Sequence, residues 1–206
     1  MTAPRVLDLR LPLSETAARG LHCGDRVRLH GDITITIGLP THQRMLECVQ
    51  RNEPLPVDLR GGAFLHLSSY NCELDGRLEA LYLNPSTSTR YDAWMPGLIR
   101  GLGLRIVGGK GGLDRASVEA MRSTGCVYLS FLGGGCTLLS RALRGVVAVH
   151  WNEYISQFRL VTLRVEGLGP ATVAIDAHGR SLYEELQQSA RARLPALLAS
   201  LKESHG

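Results

Sequence analysis

The chain is 206 residues long, 44% hydrophobic and only 5% aromatic, with a formal net charge of +4. Its length and apolar content suffice for a sizeable core in one domain, and no apolar run approaches the ~20 residues needed to span a bilayer. The arginines are dispersed and rarely accompanied by aromatics, which speaks against nucleic acid as a partner; a slight positive balance suits a small anionic substrate.

The first twenty residues read as one strand and a brief helix opened by Ser14-Glu15-Thr16. Arg26 to His30 alternates as a strand, Gly31-Asp32 reads as a turn, and Ile33 to Ile37 is a second strand rich in β-branched residues. Pro40-Thr41 opens a helix over Gln43 to Gln50 that stops near Pro54. Ala63 to Leu67 and Leu78 to Leu83 are further strands, and from Tyr91 a helical face carries Trp94, Leu98 and Ile99.

Strand, loop and helix then alternate. Leu104 to Val107 is a strand, followed by a helix through Ser117 to Met121; Cys126 to Leu129 is a strand, followed by a helix over Thr137 to Leu143. Phe158 to Val165 and Ala171 to Asp176 add two strands joined at Gly167 to Pro170, and a terminal helix spans about residues 181–201. The pattern predicts an α/β domain with a parallel or mixed sheet and ligand loops at the carboxyl ends of its strands. One domain over 1–206 is the economical organisation.

Five cysteines, Cys23, Cys48, Cys72, Cys126 and Cys136, are odd in number and form no Cys-x-x-Cys pair. They read as reduced structural thiols rather than as zinc or self-contained iron–sulfur ligands. With no apolar run behind Met1 to Arg5, the expected location is the cytoplasm.

Three segments carry chemistry. Pro85 to Asp92 sets Ser86, Thr87, Ser88 and Thr89 directly before Arg90; Val107 to Gly112 sets Lys110 among four glycines; Val127 to Cys136 ends in Gly133-Gly134-Gly135. Small residues let a backbone bend tightly or approach a ligand closely. Cations beside hydroxyls and amide N–H groups suit a carboxylate or phosphate. Each has a plain structural reading as well: the hydroxyls as a cap for the following helix, the glycines as strand-to-helix loops, Lys110 as a solvated turn residue. The spacing at Lys110 is not that of a Walker loop, since Gly111 follows it. His42, after Pro40-Thr41, is a satisfied polar residue or a site residue. Neither a Gly-x-Ser-x-Gly elbow nor a His-Glu-x-x-His motif occurs.

Taken together, GDITIT…THQRML, LPVDLRG, NPSTSTRYD, VGGKGG, VYLSFLGGGCTLL, VHW and GPATVAIDAHGRSL resemble the β subunit, or the C-terminal domain of the fused form, of iron–sulfur hydro-lyases: the class I fumarases and L(+)-tartrate dehydratases. The resemblance runs from about Leu21 to about Tyr183. It implies a swivelling β/β/α domain. It further implies reversible dehydration of a small hydroxy-dicarboxylic acid at a site shared with an α subunit, in an α2β2 assembly. The [4Fe–4S] cluster would be held by that α subunit and none by this chain.

Residue by residue, the resemblance implies that Ser86, with Thr87 beside it, supplies the hydroxyl base, and that Arg90, Lys110 and His42 bind substrate. The sequence departs from the family at Gly38-Leu39, where an Arg-Asp pair is the pattern, and at Asn84 and Ser86, where glycine and threonine are usual. The missing guanidinium at position 38 favours a substrate with a smaller or uncharged group there. It also keeps open a second reading, a non-catalytic binding or regulatory paralogue of the same fold.

Overall fold

In the computed structural model, residues 6–74 and 76–204 are described. Strands β1 (Val6–Arg10) and β2 (Arg26–Ile35) flank helix α1 (Glu15–Arg19), and helix α2 (Leu39–Arg51) follows. Next come β3 (Ala63–Leu65), β4 (Leu67–Ser68), β5 (Asn71–Leu74), β6 (Arg77–Ala80) and β7 (Asn84–Pro85). The chain continues through α3 (Met95–Leu102), β8 (Ile106–Gly109), α4 (Arg115–Thr124), β9 (Val127–Ser130), α5 (Cys136–Ser140), β10 (Leu143–His150), β11 (Leu160–Ile175) and α6 (Leu182–Ser204). Among the described residues no helix is long and apolar enough to cross a membrane.

The fold is α/β with a mixed sheet, in the order β1-β2-β3-β8-β9-β11-β10. Pairing is parallel from β1 to β9 and antiparallel on either side of β11. Strand β11 also pairs antiparallel with β2. That extra pairing closes β2, β3, β8, β9 and β11 into a ring.

Alternation along each strand fills both sides of the ring's wall. Ala63, Leu65, Ile106, Val127 and Leu129 pack with Ile33, Leu163 and Val173 in one core cluster. Their neighbours Phe64, Val107 and Tyr128 face a second cluster built with Met45, Leu98, Ile99, Val118 and Met121 from helices α2, α3 and α4. Strands buried on both faces read as continuous apolar runs rather than as alternating ones, and each such side chain contributes roughly 1.5–3 kcal/mol on burial. The helix ends follow local chemistry. Asp114 caps α4 by accepting the Ser117 N–H at 2.9 Å, and Asn52 ends α2 in the left-handed conformation.

The structure differs from the sequence reading at three places. Gly31-Asp32 is not a turn, because β2 runs straight through it with Gly31 opposite Val165 and Asp32 opposite Arg164. The segment Gly167 to Pro170 does not separate two strands either, since β11 is continuous and absorbs it as register shifts between Glu166, Leu168 and Ala171. In both, tertiary ladder partners override local turn propensity. Leu143 opens β10 rather than closing a helix, because an edge partner along β11 was invisible locally.

Candidate active site

The hydroxyl loop and the Lys110 loop are stitched to each other by backbone. The Ser86 N–H donates to His66 O at 2.8 Å, Lys110 N–H donates to Ser86 O at 2.9 Å, and Ser88 N–H donates to Lys110 O at 2.8 Å. Thr87 and Lys110 thus form a parallel bridge just beyond the carboxyl end of β8. The sequence-predicted Ser86, Thr87 and Lys110 are therefore brought together, half-buried, with Arg90 exposed on the next turn. Thr87 occupies the cap position of the 3₁₀ turn Ser88–Tyr91 without a side-chain cap bond, so the hydroxyl run is not serving as a helix cap.

The four hydroxyls have different surroundings. Ser88 is fully buried, and its Oγ lies 2.8 Å from His66 Nδ1 and 2.8 Å from the Tyr128 hydroxyl. A Cβ on Gly109 would overlap that hydroxyl, so the close approach of the two loops depends on glycine there. The Tyr183 hydroxyl donates to Ser130 Oγ at 2.8 Å, and the Tyr183 ring covers Gly112, where a Cβ would stand 2.5 Å from Cδ2. Burial raises the Tyr128 phenol above its ordinary range, so it stays protonated. Ser86, in contrast, is half-buried. The Tyr91 hydroxyl, in the same loop, donates its only proton to Ile37 O at 2.9 Å.

His42 is placed differently from a direct substrate ligand. It has no exposed surface, its ring stacks on Tyr91 with centroids 4.1 Å apart, and its ring centroid is 5.2 Å from that of His66. Its Nδ1 lies 2.7 Å from Gly38 O, a carbonyl that only accepts, so Nδ1 carries the proton. Nε2 of His42 and Nε2 of His66 are both buried without a partner. Burial depresses His42 to about 4, partly opposed by the Gly38 bond, and burial followed by the proximity of His42 holds His66 well below the ordinary imidazole value. Both rings are neutral, and His42 touches the hydroxyl loop through Tyr91.

Gly38 is sealed. A Cβ there would lie 2.6 Å from Thr41 Oγ1, 2.7 Å from Phe158 Cβ and 2.9 Å from Phe158 Cα. The carbonyl of Phe158 is held in place by the hydroxyls of Thr36, at 3.2 Å, and Thr41. The absent side chain at position 38 is thus matched by packing and not by an empty seat.

Neither Lys110 nor Arg90 has an ion pair among the described residues, whereas several other arginines do, for example Arg60 with Asp58 and Arg144 with Glu166. Those paired arginines line a surface cavity of about 700 Å³ around Arg10, His30 and Arg164, away from the loops just described. Its guanidinium charge is largely neutralised by Asp32, Asp58 and Glu166. Sequence reasoning missed His66, Tyr128, Tyr183 and Phe158. The one available signal was a histidine interrupting the apolar strand at position 66.

Among the described residues no group of three or more His, Cys, Asp or Glu side chains is placed to hold a metal ion. The free thiols of Cys23 and Cys126 are pushed up by burial to about 11 and about 12, away from the thiolate form a cluster needs. Among the described residues no set of side chains is therefore arranged as ligands for an iron–sulfur cluster.

The profile of the fumarase C-terminus matches residues 2–186. A Geobacillus stearothermophilus protein assigned as a class I fumarate hydratase is 30% identical over 92% of the chain, which spans only 36% of that relative's length. A Methanocaldococcus jannaschii protein assigned as an L(+)-tartrate dehydratase β subunit is 28% identical over 90% of the chain and 95% of its own length. The Escherichia coli L(+)-tartrate dehydratase β subunit is 28% identical over 86% of each.

Proposed function

The chain belongs to the fumarase C-terminus family, and from that premise we propose that it is the β subunit of a hydro-lyase acting on a small hydroxy acid. The observation that carries the reading is the bridge between Thr87 and Lys110, which joins the Ser86 loop to the lysine loop by backbone, while among the described residues Lys110 and Arg90 have no carboxylate partner. In this reading Lys110 and Arg90 hold a substrate carboxylate by charge-assisted hydrogen bonds. Ser86 Oγ, with Thr87 as its neighbour, takes the proton from the adjacent carbon as the hydroxyl leaves the next one. A hydroxyl oxygen needs neighbouring positive charge to act as base, and Lys110 supplies it. His42 and His66 contribute by holding Tyr91 and Ser88, and hence the loop.

The [4Fe–4S] cluster that the resemblance implies belongs, in this reading, to a partner α subunit, since the described residues of this chain offer no ligand set for it. Substrate choice follows from Gly38. Where a second guanidinium would reach in, Phe158 and Thr41 fill the space, so the preferred substrate carries one carboxylate and a small or uncharged group at its other end.

The test is to express the chain with a cluster-binding partner, purify the complex anaerobically and assay dehydration of hydroxy monoacids and hydroxy diacids. Turnover that disappears in Lys110→Ala, with monoacids ahead of diacids, is the expected result. An assembled complex that turns over neither class would favour the second reading, a binding or regulatory paralogue, to which the sealed Gly38 also lends weight.

A further inference from the structure

We propose that this chain carries a second binding site, distinct from the Lys110 loop, for a small amphipathic carboxylate: one carboxylate on a short apolar body. The site is a pocket of about 460 Å³ beside the Gly133–Gly135 loop. Its polar floor is Arg26, Ser130 and Thr172, and its walls include Leu132, Leu138 and Pro170.

The floor follows from strand register. Thr172 on β11 is the cross-strand partner of Arg26 on β2 and of Ser130 on β9. Directly paired residues project to the same face, and neighbouring strands lie about 4.8 Å apart. One guanidinium and two hydroxyls therefore stand in a row across three strands. All three side chains are half-buried.

Each of the three has donor capacity left over. Among the described residues the Arg26 side chain makes no hydrogen bond and no ion pair, and the Thr172 hydroxyl has no partner. Ser130 Oγ already accepts the Tyr183 hydroxyl at 2.8 Å, so its own proton is free to point into the pocket. No acidic side chain lines the pocket. Donors of this kind, with a fork-shaped cation at one end, match a carboxylate.

The walls set the rest of the ligand. Leu132 and Leu138 are 66% and 55% exposed, although both flank the same concavity. Covering them gains free energy in proportion to apolar area. A single guanidinium among leucines favours a monoanion with an aliphatic tail over a phosphate, whose second charge would be unmatched. Gly133 lines this pocket and borders the candidate active site, its Cβ position lying 3.6 Å from Lys110 Cδ, but neither Lys110 nor Arg90 lines the pocket.

The test uses the full chain, isotopically labelled, titrated with acetate, butanoate and hexanoate and followed by amide chemical shifts. Hexanoate should saturate, moving Ser130 to Gly135 and Thr172, and should bind about tenfold or more tighter than acetate because its methylenes cover the leucines. Arg26→Met should weaken hexanoate about tenfold or more through loss of the charged fork, Thr172→Val should weaken it less, and Lys110→Met should weaken it less than Arg26→Met does, because Lys110 borders the pocket without lining it. Leu138→Gln keeps the floor intact and should remove the advantage of hexanoate over acetate. No saturation, equal affinity for acetate and hexanoate, indifference to Arg26→Met, or a greater loss in Lys110→Met than in Arg26→Met would each overturn the proposal.

Discussion

His66 and Ser88 are joined inside the protein by a 2.8 Å contact between Nδ1 and Oγ, and this contact sets buried Ser88 apart from half-buried Ser86 and Thr87 in the same loop. Ser88→Ala would leave His66 Nδ1 and the Tyr128 hydroxyl short of a partner in a buried setting, at a cost of about 1–3 kcal/mol. Ser86→Ala removes a half-buried group whose neighbour Tyr91 keeps its bond to Ile37, so stability should fall by under about 1 kcal/mol. Turnover should respond in the opposite order, with Ser86→Ala losing on the order of 10²-fold and Ser86→Thr tolerated. Urea denaturation and single-turnover rates in the assembled complex measure both. Activity near wild type in Ser86→Ala would move the base to Thr87.

The buried imidazoles make the fold acid-sensitive in a defined window. His42 is depressed to about 4 and His66 well below its ordinary value, both chiefly by burial. The unfolded chain, with ordinary values near 6.5, then binds up to two more protons than the folded one below that pH. Their contribution is fully present above about pH 6.5 and is lost as pH falls, by roughly 1.4 kcal/mol per pH unit for each ring. Denaturation at stepped pH from 7.5 to 5 should show this slope, and replacing His42 by Phe should roughly halve it. An unchanged slope in that variant would mean that other groups cause the acid lability.

Lys110 and Arg90 should matter for binding rather than for folding. Neither sits in an ion pair among the described residues, and neither packs in a core cluster. Lys110→Ala and Arg90→Ala should each change stability by under about 1 kcal/mol while abolishing turnover of the complex. Thermal unfolding together with carboxylate inhibition constants would check both halves, and retained activity in either variant would remove that residue from the carboxylate clamp.

What could be read from the sequence was what local composition encodes. Lys110 among glycines and the hydroxyl run before Arg90 are contiguous signals, and the structure joins them through the Thr87 bridge. The α/β alternation was legible because Phe64, Val107 and Tyr128 and their neighbours are apolar on both faces of their strands. The buried network was not, because His66 meets Ser88 across 22 positions and Tyr183 meets Ser130 across 53. A lone polar residue in an apolar strand gives no hint of such a partner. Ring closure by the pairing of β2 with β11 was likewise hidden, since Gly31-Asp32 and Gly167 to Pro170 carry turn chemistry that the long ladder overrides.

Gly38 offers the sharpest test of how the site lost a side chain. Its φ of −80° is open to any residue, so only the neighbours forbid a side chain there. A Cβ would meet Phe158 Cβ at 2.7 Å and Cα at 2.9 Å, with Thr41 Oγ1 at 2.6 Å. Two of these are a main-chain carbon and the carbon attached to it, which move only with the backbone. Gly38→Ala should therefore destabilise by about 1–3 kcal/mol, as overpacking does. Phe158→Ala keeps the offending Cβ, so in a double-mutant cycle it should leave the Gly38→Ala penalty nearly intact. Phe158→Gly removes that Cβ and should recover part of the penalty, a coupling of about 0.5 kcal/mol or more between touching residues. Equal effects of the two Phe158 variants would show that the ring, and not the backbone-proximal atoms, closes the space at Gly38.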